Sequence, residues 1–343
     1  MSLRYPAALR TGDLIGVTAP SSGVPAALRA RLDVAVGHLE SRGFRVRLGG
    51  CLDGSGPVSA PAAERAAELT DMLTDPEVRA VVPPWGGELA VDLLPLLDWE
   101  RIAAAEPTWV VGFSDIAMLL VALTTRTGVA TLHGQNLMDT PYAVPAPLRS
   151  WLDVVTAPAG AVVVQGPSRL HRAPGFDDWV ADPTTTTYRL TEPGTWRRAD
   201  GDGAFAATGR LLGGCIETVA NLAGTPEGDV AGFVAHHAPE GLLLHLEAAE
   251  APAFEIGRRL HALRRAGWFE HATAVLVGRT SAPGSPGYSQ DDAVADALGD
   301  LGVPVLLDVD CGHVAPHLAL VNGSLATVRW APDGAASLTQ VLV

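Results

Sequence analysis

The sequence contains no lysine: all 24 basic residues among its 343 are arginine. Several chemistries are excluded at once, because each needs an ε-amine. They are Schiff-base and pyridoxal-phosphate catalysis, a Walker-type phosphate loop and a Ser-Lys dyad. All-arginine usage is also what a GC-rich genome produces. Cysteine is scarce as well. Cys51, Cys215 and Cys311 form an odd, widely spaced set, which reads as neither a disulfide framework nor a zinc knuckle. No apolar run approaches membrane-spanning length. Residues 1–20 show no charged segment leading into a long apolar stretch, so no signal peptide is found and a cytoplasmic location is expected. Positive charge is in short supply, with 38 acids against 24 basic residues and a net charge of -14. With no basic run to override that balance, a nucleic acid polymer is not an expected partner, and neither is a membrane. Charged residues make up only 18% of the chain against 48% hydrophobic, a composition that buries a sizeable core rather than staying disordered. The length suits two domains. There is no internal repeat and no extended low-complexity tract.

What is present first is an alternation. Apolar strand patterns over 13–20, 44–48, 79–83, 108–113 and 129–133 alternate with helical patterns over 25–41, 61–73, 88–97 and 115–127. Uniformly apolar strands between helices indicate a parallel sheet covered on both faces. Ligands collect at the carboxyl ends of such strands, where Trp85-Gly86-Gly87, Ser114 and His133-Gly134 all fall. From 158 to about 203 the pattern breaks into Pro, Thr, Asp and Gly with Trp179 and Trp196, read as a linker and an irregular excursion. A second domain is expected from about Thr208. Its strands are expected over 241–246, 274–277, 303–309 and 318–321, its helices over 215–222, 254–266 and 291–301, and a terminal hairpin over 326–343.

Ser114 is the candidate nucleophile. A serine on a tight strand-to-helix turn has an exposed hydroxyl, and the next backbone N–H groups lie at a helix N-terminus where they can stabilise an oxyanion. Thr108 to Ile116 has this layout, although position 116 lacks the second glycine of the G-x-S-x-G pattern. The plainer reading is that Ser114 or Asp115 only caps the helix. Gly86-Gly87 offers unshielded N–H groups at another strand end, or simply a turn. A serine needs a base, and the base an orienting acid. His313 follows an apolar strand, and Glu247 ends another, where a buried carboxylate is costly unless paired. Glu250 is the alternative acid. A competing reading joins His245, Glu247, His313 and His317 as an N/O zinc set. Pro316 argues against a helical pairing of His313 with His317, and no established zinc signature is present.

Taken together these motifs resemble the LD-carboxypeptidases and their relatives, the microcin C self-immunity peptidases. The resemblance runs through most of the chain. It is carried by Gly12 to Pro20, Trp85-Gly86-Gly87, Val111 to Ile116, Thr131 to Gly134, Gly209 to Gly214, Gly224-Thr225-Pro226, Leu246-Glu247 and Gly312-His313. It implies a Ser-Glu-His triad of Ser114, Glu247 and His313, with oxyanion donors from the N–H groups of Asp115 and Gly87. It implies an α/β fold: an N-terminal flavodoxin-like parallel sheet with helices on both faces, then a smaller β-rich α/β C-terminal domain. The corresponding ranges are 1–157 for the nucleophile domain, 158–207 for a linker and substrate loop, and 208–343 for the domain carrying Glu247 and His313. A homodimer without cofactor or metal is implied. Glu88, where an aromatic or small residue is usual, and Cys215, where Asn is frequent, bear on specificity. The excursion with Trp179 and Trp196 looks more like the immunity branch, where the loop stacks on a nucleotide-bearing substrate. The expected activity is serine-type cleavage of a peptidyl or aminoacyl nucleotide amide, with a murein tetrapeptide as the alternative substrate. Trp85, Gly86, Trp179 and Trp196 are the expected substrate contacts. A metal-dependent hydrolase and a non-catalytic binding protein are the readings from other classes.

Overall fold

Short apolar runs build a first sheet from β1 (Leu14–Val17), β2 (Arg45–Leu48), β3 (Val78–Val81), β4 (Trp109–Gly112) and β5 (Thr131–His133). The computed structural model describes residues 3–199 and 201–342. Met1, Ser2, Asp200 and Val343, which the expected domain and hairpin ranges include, lie outside the described residues. The five strands pair in parallel in the order β2-β1-β3-β4-β5. This is the expected flavodoxin-like order. β1, β4 and β5 are buried at every position, as strands covered on both faces must be.

The cover comes from α1 (Arg29–Ser41), α2 (Ala62–Thr74), α3 (Trp99–Ala104) and α4 (Ile116–Thr127). Leu32, Ala35 and Leu39 of α1 pack on one face, and Leu69 and Met72 of α2 pack on the other. The helix expected over 88–97 is only a 3-10 turn, Ala90–Leu93. Pro95 cannot continue a helix. Regular helix resumes at Trp99, where Asp98 caps it by accepting the Arg101 N–H. α4 is apolar on all sides, with every residue from Ile116 to Thr124 buried. Such a helix must lie inside the molecule, and α4 shares one core with Leu212, Leu242 and Leu244 of the second half. Leu120→Ala there should cost about 2–5 kcal/mol.

The second half is built from β6 (Ala161–Gln165), β7 (Leu170–Arg172), β8 (Leu190–Pro193), β9 (Arg197–Arg198), β10 (Phe205–Cys215), β11 (Leu242–Glu247), β12 (Ala272–Gly278), β13 (Val305–Val309), β14 (Leu320–Asn322), β15 (Leu325–Trp330) and β16 (Ala336–Leu342). Its helices are α5 (Trp151–Val155), α6 (Ile216–Val219), α7 (Val230–His237), α8 (Ala253–Arg265) and α9 (Gln290–Leu298). Eight strands make one sheet in the order β6-β16-β15-β10-β11-β12-β13-β9, with β10 to β13 parallel.

Three features depart from the sequence pattern. The central strand β10 is not among the expected strands, and it is rich in glycine. Its glycines are required by close approach: a Cβ on Gly214 would lie 2.5 Å from the Ala117 Cβ of α4. The segment 158–207 is not wholly irregular, for it supplies both edge strands, β6 and β9. In β6 Val163 and Gln165 are buried while Val162 and Val164 face outward, an alternation hidden by flanking proline and glycine. Finally β14 pairs antiparallel with β5, closing the edge of the first sheet rather than joining the second. The carboxyl ends of both parallel sets thereby turn towards one cleft.

Candidate active site

Four strand ends supply the cleft. β4 leads into Phe113-Ser114, the chain after β3 into Trp85-Gly86-Gly87, β11 ends on Glu247, and β13 leads into Asp310-Cys311-Gly312-His313. Ser114 stands at φ 64°, a left-handed conformation unusual for a residue with a Cβ. Strain of this kind costs about 1–3 kcal/mol and persists only where neighbours enforce it. Here Gly112 lets the turn close. A Cβ there would lie 2.7 Å from Asn136 Oδ1 and 2.8 Å from the Ile116 side chain. Asn136 accepts the Phe113 N–H at 3.2 Å, and the Ser114 carbonyl accepts the Ala117 N–H at 2.9 Å.

The Ser114 hydroxyl lies 3.0 Å from His313 Nε2, and His313 Nδ1 lies 2.9 Å from Glu247 Oε2. The carboxylate can only accept, so Nδ1 carries the proton and Nε2 is free to accept from the serine. Glu247 is fully buried, and its Oε1 has no partner among the described residues. Room for it comes from two glycines. A Cβ on Gly312, at φ 95°, would collide with the carboxylate, and one on Gly278 would lie 2.6 Å from the Glu247 Cβ. Burial works against a charged His313, but the charge and hydrogen bond of Glu247 outweigh it and raise the imidazole above its ordinary value. The Phe113 ring packs edge-on against the imidazole at 5.1 Å.

Two lobes flank this pair. One, of about 460 Å³, is walled by Trp85, Phe113, Phe176, Trp179, Tyr188 and His317. The Trp179 indole donates to the Tyr142 hydroxyl at 2.8 Å, and Tyr142 stacks on Tyr188 at 4.2 Å. Arg31, fully buried in α1, sits 4.9 Å from both the Tyr142 and Trp179 rings. Its guanidinium donates to the carbonyls of Met138, Pro183 and Thr185, and so ties the 176–188 loop to the first sheet. Asp139 also lines this lobe, its carboxyl raised by burial to about 6. The other lobe, of about 740 Å³, is lined by Glu88, Cys215, Glu217, Glu250, Glu255 and Arg259. Arg259 pairs with Glu255 at 3.2 Å. Glu217 Oε1 accepts the N–H groups of Ala249, Glu250 and Ala251, fixing the loop after β11. Burial, then the charges of Glu250, Asp115 and Glu217, raises the Glu88 carboxyl. Burial and the nearby Glu247 and Glu217 hold the Cys215 thiol well above its usual range.

The expected residues divide accordingly. Ser114, Glu247 and His313 come together, and Trp85, Gly86, Gly87 and Trp179 line the aromatic lobe. Trp196 does not. It is 2% exposed, and its indole donates to Asp310 at 2.9 Å. Asp310 also accepts from Arg279 and from the Ser168 N–H, so Trp196 belongs to the support of the loop that carries His313. The four-residue metal set does not assemble either. His245 faces Asn322 at 2.9 Å while Glu247 faces His313, because each follows a different neighbour in the packing. Among the described residues no three His, Cys, Asp or Glu side chains gather as a metal-binding group. Burial lowers His245 to about 4 and His317 to about 3, so both are neutral imidazoles, and of the two His317 lines the aromatic lobe. Arg31, Asn136, Asp139, Tyr142 and Asp310 were not found from sequence, and no local pattern marks them.

The chain matches the family model of the LD-carboxypeptidase N-terminal domain over residues 15–134 and that of the C-terminal domain over 208–328. It is 33% identical, over 93% of its length and 91% of the relative's, to a Streptomyces coelicolor protein that carries a provisional carboxypeptidase name. It is 26% identical to the murein tetrapeptide carboxypeptidase of Pseudomonas aeruginosa over 92% of each chain. It is 24% identical to the microcin C7 self-immunity protein MccF of Escherichia coli over 92% of this chain and 90% of that one. Among solved structures, an MccF-like protein of Bacillus anthracis superposes with a TM-score of 0.81 at 21% identity, over 99% of this chain and all of that one. MccF in complex with aspartyl sulfamoyl adenosine superposes with a TM-score of 0.80 at 22% identity, over 97% of each. Both halves of the family's architecture are matched in order, and the chain therefore belongs to the LD-carboxypeptidase family of peptidases.

Proposed function

We propose that the protein is a serine-type hydrolase that cleaves the amide of a peptidyl or aminoacyl nucleotide. Ser114 attacks the carbonyl carbon as its hydroxyl proton passes to His313 Nε2. Glu247 holds the imidazole and stabilises its charged form. The tetrahedral oxyanion lies against the N–H groups of Gly87 and Asp115, which donate to no group among the described residues. His313 then gives its proton to the leaving nitrogen, and the amide C–N bond breaks. Water, deprotonated in turn by His313, releases the acyl group and restores Ser114.

The observation that carries this reading is the hydrogen-bonded chain Ser114–His313–Glu247 in the wall of a lobe built of aromatic rings. Flat rings on a tethered loop suit the base of a nucleotide leaving group, since base-on-aromatic stacking contributes about 1–3 kcal/mol. MccF, whose structures hold aminoacyl sulfamoyl nucleosides, supplies the analogy for the substrate. The murein tetrapeptide reading has one observation of its own: Arg172, with only 14% of its side chain exposed, lines the same lobe and could hold a terminal carboxylate. Turnover of an aminoacyl sulfamoyl adenosine beside a murein tetrapeptide decides between them. Cleavage of the tetrapeptide alone overturns the nucleotide reading. Undiminished hydrolysis of either by Ser114→Ala overturns the serine mechanism.

A further inference from the structure

The carboxylate of Asp115 does not do what its position suggests. A carboxylate at the start of a helix ordinarily accepts an N–H of the first turn, yet Asp115 caps nothing in α4 with its side chain. Instead its Oδ2 reaches across the cleft floor. It accepts the Ser21 hydroxyl at 2.6 Å and the Ala90 N–H at 2.8 Å. Ser21 Oγ accepts in turn from the Leu89 N–H at 3.3 Å. Three segments meet on this one oxygen: the loop after β1, the chain that follows Gly86-Gly87, and the elbow of Ser114.

The glycine turn between them has no slack. Ser22 N–H donates to the Gly86 carbonyl at 3.3 Å. A Cβ on Gly86 would lie 2.8 Å from the Ser114 Cβ and 3.1 Å from the Asp115 N. Gly87 stands at φ 145°, and a Cβ there would lie 2.7 Å from the Ser22 N and strike both serine hydroxyls. Arg65 clamps part of this arrangement from outside, donating to the carbonyls of Pro20 and Leu89. Its hydrogen bonds go to Ala60, Pro20, Leu89 and Asp92, away from the elbow. Asp115 is 1% exposed and has no ion-pair partner among the described residues. Burial raises its carboxyl, and the Ser21 and Ala90 hydrogen bonds only partly offset that. An acid kept buried at such a cost is held for what it binds.

We propose that the Asp115 side chain is the positioning residue of the oxyanion hole, fixing the Gly86-Gly87 turn against the nucleophile elbow so that the Gly87 and Asp115 N–H groups converge. This rests on the reading of Ser114 as nucleophile. It separates two functions within one residue: the backbone N–H meets the oxyanion, and the carboxylate sets where the second donor stands.

The test compares Asp115→Ala, Asp115→Asn and Ser21→Ala by steady-state kinetics, by the rate of labelling with a fluorophosphonate, and by affinity for a boronic acid transition-state mimic. In Asp115→Ala, kcat and the labelling rate should fall about 10²–10³-fold, the scale of losing one oxyanion donor, with KM changed less than about threefold. Boronate affinity should fall in step. Asp115→Asn keeps an acceptor oxygen for both donors and should stay within about tenfold of wild type. Ser21→Ala, which removes one of the two bonds, should lie between them, and it carries the test if Asp115→Ala does not fold. Folded Asp115→Ala or Ser21→Ala with wild-type kcat and boronate affinity overturns the proposal, as does a loss of thermal stability without loss of kcat. Wild-type protein that takes no label overturns the serine reading itself. Labelled wild type with equally fast labelling of Asp115→Ala overturns only the role of Asp115.

Discussion

The two lobes that meet at Ser114 and His313 hold their walls in different ways. In the aromatic lobe most rings are fixed by a partner, although Phe176 is exposed. Trp85 donates to the Ser22 and Gly23 carbonyls, Trp179 to Tyr142, and Arg31 braces Tyr142 and Trp179 from behind. In the carboxylate lobe Glu217 is held by three backbone N–H groups and Glu255 pairs with Arg259, while Glu88 and Glu250 are exposed at the rim. A rigid apolar wall selects by shape and stacking. An exposed, mainly acidic rim selects by its field, which water and salt weaken. The lobes therefore differ in the size of the effects their residues should have, and both depend on the shared wall.

Removing that shared wall should have the largest effect. Ser114→Ala should lower kcat about 10⁶-fold, and Glu247→Gln about 10⁴-fold, with folding retained. Single-turnover assays on folded variants check this. The same pair sets the pH profile. The base must be neutral, and the raised His313 value places the acid limb of kcat/KM above pH 6.5, the ordinary imidazole value. Below it the rate should drop about tenfold per pH unit. In Glu247→Gln burial still disfavours the imidazolium while the opposing charge is gone, so the limb should move to lower pH. A limb that stays in place would show that Glu247 does not raise His313.

In the aromatic lobe, Trp179→Ala should raise KM for a nucleotide substrate by about 5–100-fold, the range of one stacking contact, and should leave a substrate with a small aliphatic leaving group nearly unaffected. Trp196→Phe, by contrast, should change neither KM. It removes a buried hydrogen bond to Asp310 and should cost about 1–2 kcal/mol of stability, read as a lower Tm. Equal KM effects for the two tryptophans would erase the distinction between lobe and support. In the carboxylate lobe, Glu88→Gln or Glu250→Gln should improve kcat/KM for an anionic acyl group over a cationic one by only about two- to fivefold. Raising the ionic strength should reduce this difference.

The buried imidazoles give a separate stability signature. His245 is held down to about 4 in the folded state, so its neutral form contributes stability that is fully present above the unfolded value near 6.5. That contribution is lost as pH falls from there through about 4. Tm should decline over this window, and His245→Asn should flatten the decline.

Much of this was legible without coordinates. The alternation of apolar runs and helices gave the parallel sheet, and Ser114, Glu247 and His313 each stood at a strand end. Chemistry placed at strand ends is a local property: a strand pattern, a turn glycine and a polar residue in sequence. Trp196 was misread because a tryptophan in a proline-rich stretch carries no local mark of burial. Its fate depends on Asp310, more than a hundred positions away in the chain. β10 was missed because its glycines answer to neighbours such as Ala117, not to their own segment.

What the sequence determined by itself was therefore the fold class and the standing of Ser114, Glu247 and His313 at strand ends. Tertiary structure alone decided that Ser114 lies 3.0 Å from His313 across 199 positions, that β14 crosses to the first sheet, and that Arg31 rather than a surface contact holds the loop of Trp179. The reason is physical. Periodicity and turn chemistry act between neighbours in the chain, while hydrogen bonds, buried charge and close packing act between neighbours in space.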